Sequence, residues 1–114
     1  MKIKIHDSTL RDGNHAAKHS LSLSIVENHC NLADRAGIYS VEVGHGNGLG
    51  ASSFQIGLSP YRDLDIIKIA RSSLKKSKLA VHAMPGFATF DRDIKPSVDN
   101  GVEIIRVETH CTET

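Results

Sequence analysis

The chain has 114 residues, long enough for one domain with a core but well short of the roughly 250 usual for a complete (β/α)8 barrel. It is 39% hydrophobic and 24% charged, an ordinary globular composition, and its 14 basic and 13 acidic residues leave a net charge of +1. That balance gives no electrostatic reason for a nucleic-acid or membrane partner, and two Tyr, three Phe and no Trp offer few rings for stacking single-stranded nucleic acid.

The first residues, Met1 to Asp7, alternate charged and apolar side chains and lack the apolar core of a signal peptide. No run approaches the ~20 apolar residues of a membrane span, so the expectation is a soluble, cytoplasmic protein. Ile3–His6 reads as the first strand, with His6 as a buried, hydrogen-bonded histidine. Directly after it, Asp7-Ser8-Thr9-Leu10-Arg11-Asp12-Gly13-Asn14-His15 crowds a cation, two acids and an imidazole onto what reads as a strand-end loop. Strand ends are where α/β proteins build their chemistry. A carboxylate such as Asp12 can hold a divalent metal, Arg11 can stabilise an oxyanion, and His15 can move a proton.

A first helix is expected from near Ser24, where Ser24 and Glu27 have capping-box spacing, with Ile25, Leu32, Ala33 and Ala36 facing inward and Gly37 as its stop. His19 and His29, in or near it, read as surface or packing residues. Tyr39–Val43 is the second strand. Gly44–Ser59 follows as a long Gly- and Ser-rich stretch of the kind that is functional in a compact domain. Its Gly44-His45-Gly46-Asn47-Gly48-Leu49-Gly50 does not match GxGxxG, and no helix begins where a pyrophosphate would need one. The glycines read instead as letting backbone pass close to a ligand or a neighbouring loop.

Ser59-Pro60 opens a second helix with Leu64, Ile67 and Leu74 inward, and Lys75-Lys76-Ser77-Lys78 is its solvated end, favoured by the macrodipole. Lys78–Ala83 is the third strand. A third helix spans Asp91–Asn100, with Pro96 near its first turns and Gly101 as its stop. Glu103–Glu108 is the fourth strand, with Ile104, Ile105 and Val107 as core. Cys30 and Cys111 sit far apart and fit neither a disulfide framework nor a CxxC zinc pattern. His110 and Cys111 are adjacent and point apart on an extended chain, which disfavours joint metal binding.

Strands alternating with helices argue for an α/β fold with a parallel sheet, because parallel neighbours need a crossover and a helix is the usual one. The C-terminal strand ends then lie on one side. There Asp7, Arg11, Asp12 and His15 should converge with Glu42, His45, His82, Glu108 and His110.

These residues resemble a known family. Asp7-Ser8-Thr9-Leu10-Arg11-Asp12-Gly13, Val41-Glu42-Val43, the glycine loop with Ser52-Ser53-Phe54, Met84-Pro85-Gly86 and Arg106-Val107-Glu108-Thr109-His110-Cys111-Thr112-Glu113 are similar, in order and spacing, to the N-terminal part of the 4-hydroxy-2-oxovalerate aldolase family. Its members are metal-dependent pyruvate aldolases of the hydroxymethylglutaryl-CoA lyase-like barrel superfamily. The first motif is shared by the superfamily; the glycine loop and Thr109-His110-Cys111-Thr112-Glu113 point more specifically to the aldolase. The resemblance implies a partial TIM (β/α)8 barrel, with residues 1–114 as a single N-terminal half-barrel domain of roughly the first four βα units. It implies that Asp12 is a ligand of a divalent ion, typically Mn2+, and that Arg11 binds substrate and stabilises the pyruvate enolate. His15 would take the proton of the substrate's 4-hydroxyl during retro-aldol cleavage to pyruvate and an aldehyde. Glu42 would support the site by orienting Arg11. A small 2-oxoacid substrate and, for the full-length family, an acylating aldehyde dehydrogenase partner are implied as well.

The chain departs from the family pattern in having no His-x-His, the motif that supplies the remaining metal ligands, and no C-terminal region. The expectation is therefore an isolated 114-residue chain that is inactive. His82 and Ala83 stand where the family commonly has bulky aliphatic residues lining the substrate pocket. A half-barrel also exposes sheet edges through which the chain could associate with itself. Two other readings stay open. One is a related acyl-CoA lyase or synthase, since the first motif does not separate cleavage of a hydroxyacid from condensation with an acyl-CoA. The other is a non-catalytic half-barrel that serves as an assembly module.

Overall fold

The computed structural model of the protein describes residues 3–16, 21–51 and 61–108, with the backbone alone for His15 and Ala16. Four strands, β1 (His6–Asp7), β2 (Ser40–Val43), β3 (Lys78–Ala83) and β4 (Ile104–Val107), form one parallel sheet in the order β1-β2-β3-β4. Each strand lies beside its predecessor in sequence, the order of an unclosed section of a (β/α)8 barrel and not of a doubly wound sheet, whose order reverses at a switch point. Helices α1 (Thr9–Ala16), α2 (Leu23–Arg35), α3 (Asp63–Ser73) and α4 (Lys95–Asp99) lie between the strands, α4 after a π-helical turn over Phe90–Ile94. Among the described residues no helix is long and apolar enough to cross a membrane.

Alternation along the strands gives the sheet two unlike faces. The registers His6↔Ser40, Glu42↔Ala80, Ala80↔Ile104 and His82↔Arg106 put all of these residues on one face. On the other, Val41, Val43, Leu79 and Val81 are each at most 1% exposed and join Val26, Cys30, Ile67 and Ala70 of α2 and α3 in the hydrophobic core. One face is thus aliphatic and covered by helices, and the other carries two histidines, a glutamate and an arginine. Polar groups buried on such a face must find hydrogen-bond partners or leave a cost of roughly 1–3 kcal/mol each.

The run from Asp7 to His15 differs from the expected loop: most of it is helix α1. Asp7 Oδ1 accepts the Thr9 N–H at 2.8 Å, and the Ser8 carbonyl accepts the Asp12 N–H at 2.9 Å. Two residues with strong N-cap chemistry start the helix, and one internal glycine, Gly13, costs only about 1 kcal/mol against it. Strand β1 is correspondingly later and shorter than Ile3–His6, with Ile3 and Ile5 exposed beside the sheet.

Helix α2 is capped by Ser22, whose hydroxyl accepts the Ile25 N–H at 3.2 Å, and not by Ser24. Its buried stripe is Val26, Cys30, Ala33 and Asp34, so of the predicted inner face Ala33 is buried while Ile25, Leu32 and Ala36 face outward. Helix α3 starts at Asp63 with Arg62 at its cap and buries Ile66, Ile67 and Ala70. Leu64 is half-buried, Leu74 is buried just past the helix end, and Ser59 and Pro60 lie outside the described residues. Beyond it the chain is gathered by a carboxylate from α2: the N–H groups of Lys75, Lys76 and Ser77 all donate to Asp34 Oδ1, at 3.0, 2.7 and 2.8 Å. β4 supplies less core than its sequence suggests, since Ile104 and Ile105 are half-buried and Val107 is exposed on the last strand of the row.

Candidate active site

Glu42 is the centre of the polar face. Standing on β2, fully buried, its carboxylate accepts four hydrogen bonds: from Arg11 Nε on Oε1, from Arg106 Nη2 on Oε1 at 3.0 Å, from Arg106 Nε on Oε2 at 2.8 Å, and from His6 Nε2 on Oε2 at 3.1 Å. Its lone pairs are then all engaged. Burial by itself would push the Glu42 carboxyl up, but the bonds from Arg106, Arg11 and His6 outweigh it and hold the group at about 2. A saturated carboxylate that stays ionised near neutral pH is unsuited to proton transfer there and well suited to fixing guanidinium groups. His6 is hydrogen-bonded as expected, but its side chain is a third exposed and not buried. Donation from Nε2 to Glu42 leaves its Nδ1 to accept from the Ser40 hydroxyl.

Arg11, on the first turn of α1, is locked from three sides. Beyond the bond to Glu42, Nη1 donates to the Gly46 carbonyl at 2.7 Å and Nη2 pairs with Asp12 Oδ1 at 2.7 Å. A guanidinium has five N–H hydrogens, so two remain without a partner among the described residues. Asp12 sits at the rim, its side chain 60% exposed, with Oδ2 accepting from the Ser8 hydroxyl at 3.1 Å. His15 belongs to α1, but its side chain lies outside the described residues, as do His19, His110, Cys111 and the loop residues 52–60.

The glycine loop lies against this cluster. Asn14 Nδ2 reaches back from α1 to the Gly44 carbonyl at 2.6 Å, and the Leu49 N–H donates to the His82 carbonyl at 2.9 Å. Gly48 has φ +92°, and a Cβ there would lie 2.5 Å from the His82 carbonyl oxygen, so only glycine lets the loop pass this close to β3. His45 is buried and its Nδ1 accepts the Asn47 N–H at 3.0 Å, closing the loop on itself. The loop's far end is tied by the Gly50 N–H to Asp63 Oδ2 at 2.9 Å. Burial raises the Asp63 carboxyl above its ordinary value despite that bond. The expected close backbone approach is therefore made to a neighbouring strand.

Of the residues expected at the strand ends, Arg11, Asp12, Glu42 and His82 come together with Glu108, while Asp7 turns away to pair with His29 Nε2 at 2.7 Å, giving His29 a structural partner. Arg106 is the residue that sequence reasoning passed over. It stands between Ile105 and Val107 in a strand expected to be core, and a lone guanidinium on the inward phase of a period-2 pattern was the available signal. His82 is 2% exposed, its Nε2 is 3.4 Å from Glu108 Oε2, and its Nδ1 has no hydrogen-bond partner among the described residues. Burial, with the nearby charge of Arg11, pushes its pKa below the ordinary value.

A divalent cation needs several oxygen or nitrogen ligands. Among the described residues no three His, Cys, Asp or Glu side chains come together as a cage. Asp12 alone fits the part of a ligand there: an exposed carboxylate beside Arg11, whose bonds to Arg11 and Ser8 leave lone pairs free on both oxygens.

A model of the family described as HMGL-like matches residues 2–114. Among similar curated proteins, a 4-hydroxy-2-oxovalerate aldolase of Spirochaeta aurantia is 51% identical over 97% of this chain and 33% of its own length. A 4-hydroxy-2-oxovalerate aldolase 2 of Salinispora arenicola is 48% identical over 99% of this chain and 32% of its own. A 4-hydroxy-2-oxovalerate aldolase of Pectobacterium atrosepticum is 47% identical over 98% and 33%. The chain spans about a third of the length of the curated relatives it matches.

Proposed function

The chain belongs to the HMGL-like family, and on that premise we propose that it forms the amino-terminal half-barrel of a divalent-metal-dependent 4-hydroxy-2-oxoacid aldolase, cleaving 4-hydroxy-2-oxovalerate to pyruvate and acetaldehyde. The observation that carries the reading is Arg11, fixed on three sides by Glu42, Gly46 and Asp12, with two hydrogens unpartnered among the described residues, at the end of a parallel sheet. Cleavage of the C3–C4 bond takes the proton from the 4-hydroxyl and delivers the bond's electrons to the 2-oxo oxygen, so anionic charge develops there. A preorganised guanidinium stabilises that charge without reorganising. His15 is the proposed base for the hydroxyl proton, and the enolate is protonated at C3 to give pyruvate. Glu42 acts through Arg11, as a positioning residue. A divalent ion, Mn2+ in this reading, would supply electrophilic polarisation of the 2-oxo group when bound, with Asp12 as its ligand from this chain. An acylating aldehyde dehydrogenase is the proposed consumer of the aldehyde.

The test uses a chimera in which residues 1–114 replace the corresponding third of the Spirochaeta aurantia aldolase, assayed beside the 114-residue chain. Pyruvate release from 4-hydroxy-2-oxovalerate with Mn2+ is expected of the chimera and not of the chain alone. A folded, metal-loaded chimera that turns over no 2-oxoacid would sink the assignment, and turnover of a CoA ester in its place would favour an acyl-CoA lyase or synthase.

One observation favours a second role, association between copies of the chain: Ile3 and Ile5 beside β1 and Val107 on β4 are 81%, 55% and 65% exposed at the two outer strands. Light scattering tests it, because a monomer at high concentration removes this reading.

A further inference from the structure

We propose that Asp63 is a positioning residue for Arg11 and acts through the glycine loop: its carboxylate anchors one end of the loop, and the other end presents the carbonyl that fixes the guanidinium. The inference rests on the aldolase reading, in which Arg11 meets the developing enolate charge, and adds to it a residue on a different helix, α3. Only Asn47, Gly48 and Leu49 separate the two ends. At one, the Gly46 carbonyl accepts from Arg11 Nη1 at 2.7 Å; at the other, the Gly50 N–H donates to Asp63 Oδ2 at 2.9 Å. Between them the Gly48 N–H donates to the His45 carbonyl at 2.8 Å, and the Leu49 N–H to the His82 carbonyl at 2.9 Å. A turn closed in this way shifts as a unit, so a displacement at Gly50 is carried to Gly46.

The far end of the loop has a narrow seat. Gly50 has φ +72°, and a Cβ there would lie 2.6 Å from both the Phe87 carbonyl oxygen and Arg92 Nη2, which are themselves hydrogen-bonded at 2.6 Å. The loop end is thus wedged between the connection after β3 and the first turn of α3, and the Asp63 bond holds it there. Its mount is rigid, because Asp63 begins a helix whose Ile66, Ile67 and Ala70 are buried. What Asp63 supplies is an oxygen lone pair and not a charge. Burial, with Asp93 nearby, already pushes its carboxyl above the ordinary value against the pull of the Gly50 bond, His45 and Arg92, so a neutral amide suits the same place. At the other end, Glu42 and Asp12 keep two sides of the guanidinium, at Nε and Nη2, and the loop sets the third. An error of about 1 Å in such a group, arising far from the chemistry, is enough to cost roughly 10²-fold in rate.

The test measures cleavage of 4-hydroxy-2-oxovalerate by the Mn2+-loaded chimera, with amide hydrogen exchange of residues 44–51 read beside it. Asp63→Ala should lower kcat by about 10–100-fold while KM moves by less than about threefold, because the loss falls on charge that develops during cleavage. Asp63→Asn, which keeps an oxygen toward Gly50, should restore kcat to within about threefold of wild type. Asp63→Ser, whose oxygen stops one bond short, should behave like Asp63→Ala and replaces it if the alanine variant does not fold. Loss of folded protein acts alike in any background, whereas positioning passes through Arg11. Added to Arg11→Lys, Asp63→Ala should therefore cost less than about threefold more in kcat. Exchange across residues 44–51 should quicken in Asp63→Ala and stay as in wild type in Asp63→Asn. No loss of kcat, a loss of equal size in both backgrounds, or one that Asp63→Asn does not relieve overturns the role of Asp63 and leaves the aldolase reading standing. A folded, metal-loaded chimera with residues 1–114 unaltered that cleaves no 2-oxoacid overturns the aldolase reading and this inference with it.

Discussion

Glu42 on β2 and Arg106 on β4 grip one another across the whole width of β3, with Arg106 Nε donating to Oε2 at 2.8 Å and Nη2 to Oε1 at 3.0 Å. The same carboxylate holds Arg11 from α1 and His6 from β1. One buried anion therefore fastens three strands and a helix.

Removing that anion should be the most damaging single change on the polar face. Glu42→Gln removes the buried counter-charge of Arg11 and Arg106, leaving them only the more exposed carboxylates of Asp12 and Glu108, and is expected to lower the unfolding free energy by about 3 kcal/mol, the scale for breaking a buried pair from one side. Arg106→Met should cost less, because Arg11 and His6 still satisfy the carboxylate. Urea unfolding of both variants gives the order, and an Arg106→Met protein less stable than Glu42→Gln contradicts it.

The same group sets an acid limit. Its folded value of about 2 lies below the ordinary 4.5, so the stabilisation is complete above pH 4.5 and is lost as the pH falls toward 2. That difference corresponds to about 3 kcal/mol, in step with the substitution. His82, pushed below its ordinary 6.5 by burial, loses stability from a higher pH downward, so the comparison belongs below pH 4.5. There the melting temperature of wild type should fall toward that of Glu42→Gln. Parallel curves for the two would show that Glu42 is not the titrating group.

At the rim, the predictions separate holding from reacting. Asp12→Ala should weaken Mn2+ binding to the chimera by more than the roughly 10–100-fold that outer partners control, as measured by titration calorimetry. Arg11→Lys should bind Mn2+ within a few-fold of wild type yet lose roughly 10²–10³ in kcat, since an ammonium cannot reproduce the guanidinium fork. Unchanged Mn2+ affinity in Asp12→Ala removes Asp12 as a ligand.

Two glycines in one loop should respond differently to the same methyl group. Gly44 has φ +111° and open space around its missing Cβ, so Gly44→Ala carries backbone strain alone, of order 1–3 kcal/mol. Gly48 combines φ +92° with the His82 carbonyl 2.5 Å from the added carbon, and Gly48→Ala must also push the loop off β3. Chemical denaturation should find Gly48→Ala the less stable by a clear margin. Equal losses would mean that the close approach to β3 contributes nothing.

Much of this arrangement was legible in the residues. β3 reads correctly over Lys78–Ala83 because its apolar run is bounded sharply by the lysine-rich turn and by Met84-Pro85-Gly86. The pairing of Glu42 with Arg11 followed from the resemblance. Helix α1 did not, because Gly13 and Asn14 look like loop chemistry, although the bonds that start the helix, from the Thr9 N–H to Asp7 Oδ1 and from the Asp12 N–H to the Ser8 carbonyl, are local ones. The phase of α2 is hard to read because apolar residues stand on both of its faces: Ile25, Leu32 and Ala36 face outward while Val26, Cys30 and Ala33 are buried. Arg106 was hidden by its apolar neighbours: its value lies in a carboxylate two strands away, which no local pattern records.

The sequential strand order has a consequence for how the chain is made. Every sheet pairing joins a strand to the one translated just before it, and Asp34 gathers the turn into β3 with no help from later residues. Each pairing joins residues from 24 (Ala80 and Ile104) to 38 (Ser40 and Lys78) positions apart, so the sheet is expected to grow stepwise, one strand at a time, and not fast. Glu42 breaks that rule: it waits on β2 for a guanidinium that arrives only with β4. Until then its buried charge has Arg11 and His6 but not its strongest partner, so the nascent third strand docks beside an anion still half-provided for. Completion of the fourth strand is thus the step that commits the polar face, and until Arg106 has left the ribosome that face stays open to water.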